Sequence, residues 1–343
     1  MKVLGTFGAA LILAAALSAC AEAPVFPTQS ATRVAKTALQ IPYATANANL
    51  YVANVGSNAV SVYANGRNSL LRTITKGVTA PGALALDGAG NLYVAKDRYR
   101  VHVLDNVKVY AAGSGTVMRT LMVEAPRAMA FDASGNLYIA SHNTVVVFAP
   151  GASQPSRTIK AGIKSPDALA FDGDGNLYVA NLGRASNGGN DITVYGPGSG
   201  AVLETISEGI DYPDALAIDS SENLYVANGK GNTVTVYSPG STSVARTISR
   251  GIQAPTALAL DGSGNLYVAG NVVTVYAPGN DSALRVISKG ISLPLSLAFD
   301  GVGNLFVANA SSSTVTVYAP GKTSILRTIS KAVSNPDAIL FGP

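Results

Sequence analysis

The sequence predicts an all-β repeat protein, and three observations carry that prediction. The first is self-similarity. Asn-Leu-Tyr-Val-Ala, with one Leu-Phe and one Ile variant, begins at Asn49, Asn91, Asn136, Asn176, Asn223, Asn265 and Asn304. The spacings are 42, 45, 40, 47, 42 and 39 residues, a period that belongs to repeat architectures. The second is composition: no tryptophan, 35 glycines and 13% charged residues favour many short strands and tight turns over helices. The third is periodicity. Val234 to Tyr237, Val273 to Tyr276 and Val315 to Tyr318 alternate with period two, as half-buried strands do. Four antiparallel strands per unit describe a β-propeller blade. Seven copies of each strand type predict seven blades.

Residues 1–19 read as a processing segment. Lys2 supplies a positive start, and Gly5 to Ala19 is apolar but too short to span a bilayer. The segment ends in Leu17-Ser18-Ala19-Cys20, which resembles the lipobox of bacterial lipoproteins. That resemblance implies cleavage before Cys20, lipidation of that residue (palmitate included) and a chain held to a membrane of the cell envelope. The outer membrane, facing the periplasm or the cell surface, is the expected address. Cys20 is the only cysteine, so no disulfide can form within the chain. Residues 20–48, rich in Ala, Thr and Pro, read as a lipidated tether, and 49–343 as the propeller.

Each unit then parses strand by strand. Ala168 to Asp172 and its equivalents form the first strand, with alanines suited to the crowded axis. A Gly-Asp-Gly-Asn-type turn supplies positive-φ positions for a hairpin. Asp172-x-Asp174-x-Asn176 belongs to that hairpin chemistry rather than to a calcium loop, since other repeats place Ala, Ser or Val where Asp174 stands. The second strand is Asn-Leu-Tyr-Val-Ala. The third is Val-Thr-Val-Tyr, followed in several copies by a Pro-Gly turn. The fourth is Leu-Arg-Thr-Ile. Twelve of the fifteen tyrosines occupy equivalent positions of strands two and three, where they are expected to pack between blades. The propeller opens on a second strand, Asn49 to Asn54, and ends on a first strand, Pro336 to Phe341. One blade is therefore expected to draw strands from both ends and so close the ring.

Pro-x-Ala-Leu-Ala-Phe-Asp-x-x-Gly-Asn-Leu-Tyr-Val-Ala-Asn resembles the repeat of NHL-type bacterial propellers, whose architecture virginiamycin B lyase and the regucalcin/gluconolactonase group share. In the regucalcin-like group a Glu-x-Pro glutamate, an Asn and an Asp near the mouth bind a divalent metal. By that resemblance Glu124-Ala125-Pro126, with Asp211, Asp214, Asn181 and Asn228 nearby, would hold Ca²⁺ or Mg²⁺. The lyase's histidine base and acidic ligands lie in later repeats; here no His follows 142 and no Glu follows 222, so those roles do not carry over.

The net charge of +4 does not point to nucleic acid, because the cations are spaced around the repeat rather than gathered, with no stacking platform. Arg72, Arg119, Arg157, Arg246, Arg285 and Arg327 share one slot of the fourth strand, where they read as solvated protection of the blade edge. Ligands are expected on the face where second strands end and first strands begin. Arg127, His142, Asp167, Asn181 and Asn228 are the candidate ligand-binding residues there, and His142 a candidate base beside Arg127 and Asp167. Two insertions, around Lys96 to His102 and Leu182 to Asp191, flank this face. The expected function is that of a monomeric, lipid-anchored binding or scaffold module for a protein or glycan. The competing reading is a metal-dependent hydrolase or lyase at the mouth.

Overall fold

A computed structural model describes residues 48–64, 66–96, 106–183 and 189–343. Cys20, the signal and tether segments, His102 and the middle of the second insertion lie outside the described residues. The rest forms seven four-stranded antiparallel sheets, a seven-bladed β-propeller. Blade 1 joins Pro336–Gly342 to Asn49–Asn54, Ala59–Tyr63 and Leu70–Ile74, with Leu50 opposite Phe341 and Val52 opposite Ile339. Blades 2 to 7 occupy 81–122, 126–159, 166–206, 213–248, 257–287 and 294–329. First strands contact one another around a complete circuit, so closure from both ends is as the sequence predicts.

Blade 5 shows why this sequence makes this unit. Its strands are Pro213–Ile218, Leu224–Asn228, Thr233–Tyr237 and Arg246–Ile248. At the first turn, Asp219 Oδ1 accepts from the backbone N–H groups of Ser221 and Asn223, at 2.8 and 2.9 Å. Its Oδ2 accepts from Asn223 Nδ2 at 2.9 Å and from the Tyr225 hydroxyl at 3.0 Å. One carboxylate thus fixes the hairpin and anchors the second strand's tyrosine, which is why Asp, Asn and Tyr recur at i, i+4 and i+6. The same set forms at Asp87, Asp172 and Asp261.

Blades are stitched together by aromatic residues. The second-strand ring of one blade meets a first-strand phenylalanine of the next edge-on: Tyr93 with Phe131, Tyr138 with Phe171, Tyr267 with Phe299 and Phe306 with Phe341, centroids 4.8–5.2 Å apart. Third-strand tyrosines do a different job. Tyr110, Tyr195, Tyr237, Tyr276, Tyr318 and Tyr63 are buried and donate to backbone carbonyls of Lys76, Ala161, Glu208, Arg250, Lys289 and Lys331. Every acceptor belongs to the linker that enters the tyrosine's own blade from the preceding one. Blade 3 carries Phe148 instead.

The fourth-strand arginines are not the solvated edge guards that their position suggests. All six are half-buried, and four lie over the second-strand tyrosine of their own blade, 5.7–6.0 Å from the ring centroid. Arg119, Arg157 and Arg285 donate to the phenol at 2.6–3.0 Å. Arg327 covers Phe306 at 5.3 Å. A long aliphatic stem and a planar cation cover an aromatic face while the strand's alternate residues point outward. The linker cations Lys76, Lys160, Arg250, Lys289 and Lys331 are exposed.

Burial holds these phenols neutral: it pushes Tyr93, Tyr110, Tyr195, Tyr225 and Tyr276 from 10 up to about 12. A folded-state pKa above the unfolded one gives stability that is complete below pH 10 and is lost as pH climbs towards 12. With no tryptophan present, alkaline titration followed by tyrosinate absorbance should show most phenols ionising late and together with loss of β-sheet circular dichroism. Independent titration of the bulk of them near pH 10 in a folded chain would contradict the packing described.

Candidate functional site

The mouth face is made by the hairpins between second and third strands and by the linkers between blades. Its foundation is a buried asparagine at the end of the second strand. In blades 1, 4, 5 and 7, Asn54, Asn181, Asn228 and Asn309 are fully buried. Their Oδ1 atoms accept the backbone N–H of Ser334, Lys164, Asp211 and Ser292 at 2.9–3.0 Å. Their Nδ2 groups donate to the third-strand hydroxyls of Ser61, Thr193, Thr235 and Thr316 at 2.8–3.2 Å. Several of these hydroxyls donate onward to a linker carbonyl, as Ser61 does to Ala332 and Thr193 to Gly162. Each amide thereby plugs the gap under its linker. Asn181 and Asn228, expected to face a ligand, instead have their hydrogen-bonding capacity taken up inside the blade, as buried polar groups require.

The linker above each plug bends in one characteristic way. The residue before the repeat proline has positive φ in all seven blades: Ala80, Ala125, Ser165, Tyr212, Ala254, Leu293 and Asn335, at 39–61°. In most blades its N–H is held by the hairpin of the preceding blade. Asn58, Asn143, Asn190 and Asn232 Oδ1 and Ser313 Oγ accept from Ala80, Ser165, Tyr212, Ala254 and Asn335 at 2.7–3.1 Å. Nothing in Ala, Leu or Tyr announces such a conformation, so sequence reasoning missed these residues.

Arg127 and Asp167 do meet. Arg127 Nη1 lies 3.6 Å from Asp167 Oδ1, with the carboxylate fully buried, and donates to Ser165 Oγ at 3.0 Å. The pair joins the first strands of blades 3 and 4 at the bulge after the repeat proline. His142 is exposed in the blade 3 hairpin at φ 32°. Glu124 and Asp211 are exposed and Asp214 is half-buried. Asp214 lies so close to Gly229 that a Cβ there would come within 2.1 Å of its Oδ2, which explains the glycine after Asn228. Glu124 belongs to the entry of blade 3 and the two aspartates to that of blade 5. Among the described residues no three His, Cys, Asp or Glu side chains form a group able to hold a metal. Glu124, Asp211 and Asp214 therefore do not fit a Ca²⁺ or Mg²⁺ ion, which takes six or more oxygens.

No family model matches this chain, and no curated protein matches it. Solved structures do. A Bacteroides fragilis protein described as a "putative 6-phosphogluconolactonase" superposes with TM-score 0.72 at 15% identity, covering 87% of this chain and 99% of that one. A Bacteroides uniformis protein with the same description gives 0.69 at 14%, covering 87% and 100%. A protein of unknown function from Desulfotomaculum acetoxidans gives 0.70 at 13%, covering 86% and 98%. At this identity the likeness is one of fold.

The plug and the exposed acid beside it should separate on substitution. Asn228→Ala should cost about 1–3 kcal/mol, since it removes the acceptor of the Asp211 N–H and the donor to the Thr233 and Thr235 hydroxyls. Asp211→Ala should stay within about 0.5 kcal/mol. Chemical denaturation of both variants checks this, and equal effects would remove the plug from the account.

Proposed function

We propose that this chain is a lipid-tethered propeller of the bacterial cell envelope, an NHL-type lipoprotein whose mouth face binds a protein or glycan. The observation behind this reading is where the chain spends backbone strain. Fourteen non-glycine residues have positive φ among those described, and thirteen of them lie on the mouth face; Glu222 is the exception. The opposite face makes its turns with glycine, including Gly90, Gly135, Gly175, Gly198, Gly240 and Gly264. Non-glycine residues at positive φ cost of order 1 kcal/mol each and gather where a side chain is wanted in a fixed pose. On the mouth face they carry His142, Tyr212, Leu293 and Asn335, while the positions just before the bend expose Thr79, Glu124, Lys164, Asp211 and Gln253. A uniform backbone displaying non-uniform side chains suits recognition.

Two measurements test the proposal. In cells, the intact chain should partition into detergent and Cys20→Ser into the aqueous phase; aqueous partition of both would remove the lipid tether. Photo-crosslinkers at Lys164 and Gln253 should capture a partner that the same probes at Ser199 and Lys322, on the other face, do not. Equal capture from both faces would end the mouth-face reading. So would turnover of a sugar lactone by the purified chain that Glu124→Gln abolishes.

A further inference from the structure

The exposed cations at the rim of the mouth face are not spread evenly. In every blade except blade 3, a buried third-strand tyrosine donates to one carbonyl near the start of the incoming linker. The residue that owns that carbonyl varies. In blades 6, 7, 1 and 2 it is Arg250, Lys289, Lys331 and Lys76. In blades 4 and 5 it is Ala161 and Glu208. Blades 6, 7, 1 and 2 are neighbours in the closed ring, so four cations follow one another along one side of it. Each is exposed, while a phenol holds its backbone in place. No Asp or Glu stands in the linkers into these blades, or in the mouth-face hairpins of blades 6, 7 and 1. Their first strands add a single acid, the half-buried Asp337.

Two further features bear on what this arc meets. Leu293, in the linker into blade 7 and so inside the arc, is 55% exposed at φ 52°. Its carbonyl accepts from the Ala310 N–H at 3.0 Å, which fixes the bend that displays it. Of the exposed large apolar residues described, it alone stands on a linker. The opposite face has the other sign: among the described residues, its turns carry nine Asp and Glu against Arg67 and Lys322. A body with a basic arc on one face and acidic turns on the other presents the arc to any anionic surface. Spacing then selects the kind of surface. Equivalent positions of successive blades lie on one circle, so a planar array of anions meets all four cations together, whereas an extended chain only crosses the arc. Cations with an apolar residue among them are also what seats a protein at a lipid–water interface.

We propose that the arc of Arg250, Lys289, Lys331 and Lys76 docks the propeller on an anionic lipid surface, with Leu293 entering the headgroup layer. The contact needs no lipid on Cys20, so it stands or falls apart from the tether proposed above. It uses the side of the ring at blades 6, 7, 1 and 2. The linkers into blades 3, 4 and 5, with Glu124, Lys164 and Asp211, lie on the other side and stay clear for a partner.

The test is flotation of the full chain, carrying Cys20→Ser, with two kinds of vesicle. One holds phosphatidylglycerol and phosphatidylcholine in equal parts, the other phosphatidylcholine alone. The first should bind the chain and release it as salt rises; the second should bind it at least about tenfold more weakly. The double variant K289Q/K331Q leaves the backbone acceptors of Tyr318 and Tyr63 in place, so its circular dichroism should be unchanged. Its affinity for the anionic vesicles should drop about 25-fold, roughly fivefold for each charge removed. Leu293→Asn, which introduces a residue that tolerates positive φ, should lose about fivefold. Lys322→Gln, on the opposite face, should leave the affinity unchanged. Equal binding to both vesicles would overturn the proposal, as would anionic binding that survives K289Q/K331Q. So would poly-glutamate that binds the chain as tightly as the anionic vesicles do, since the arc would then be a site for an acidic chain.

Discussion

Seven sheets stay in a ring here because the linkers between them cannot leave their seats. A propeller linker is irregular backbone on the shoulder of a packed fold, and its N–H and C=O groups must find partners that no regular ladder supplies. This chain meets the requirement with side chains at set positions of the repeat. The second-strand asparagine takes one linker N–H from below. The preceding blade's hairpin takes the next from the side. A third-strand tyrosine donates to the carbonyl at the linker's start. Two of these three ties lie within the blade that the linker enters, and the third reaches back to the blade that it left. Position along the ring and hydrogen-bond satisfaction are one constraint, and the repeat sequence is largely its record.

That record explains how much could be read without coordinates. The period, the four strands, the count of seven and the closing blade were legible because each rests on apolar alternation and turn chemistry, which act locally. The Asp-x-x-Gly-Asn-Leu-Tyr string declared a hairpin, and the structure adds only that Asp219 and its equivalents also hold the tyrosine. What was not legible is direction. Asn181 at a strand end looks the same whether it faces a ligand or a linker, because the same oxygen serves both. Arg285 on an outer strand looks like a solvated cation until the phenol of Tyr267, eighteen residues earlier, is placed beneath it. The candidate site suffered most: Arg127 and Asp167 were expected near one another on the mouth, but nothing in the sequence said that Asp167 would be fully buried against Arg127 while His142 stood exposed.

Turning the arginines inward changes how the blade edge is protected. Fourth strands present unpaired backbone groups that could template another sheet, and their outward side chains include Leu71, Met118, Leu203, Leu284 and Leu326, all exposed. Charge is therefore not the main guard. Length is part of the answer: in blades 3 and 5 the outer strand has only three residues, Arg157–Ile159 and Arg246–Ile248. In blades 1, 2, 4, 6 and 7 a shift in register breaks the ladder between third and fourth strands. A short or irregular edge offers little length to add to, whatever its side chains.

The two faces of the ring solve the same turn problem with different residues. Glycine is the least strained answer to positive φ, and the face away from the mouth uses it at nearly every such turn. The mouth face also has glycines, Gly162 and Gly209 among them, so the chain is not short of that option there. It keeps glycine at the linker's first bend in five blades, Ala332 taking that place at the entry to blade 1; a Cβ at Gly162 would meet Thr193 at 2.8 Å and one at Gly209 would meet Val244 at 2.7 Å. It gives up glycine three residues later, at the bend before proline, where the residue carries a side chain in every blade. Steric need accounts for the first choice at Gly162 and Gly209. The second works against backbone preference, and a hydrogen bond from the neighbouring blade holds it in place at Ser165, Tyr212, Ala254 and Asn335.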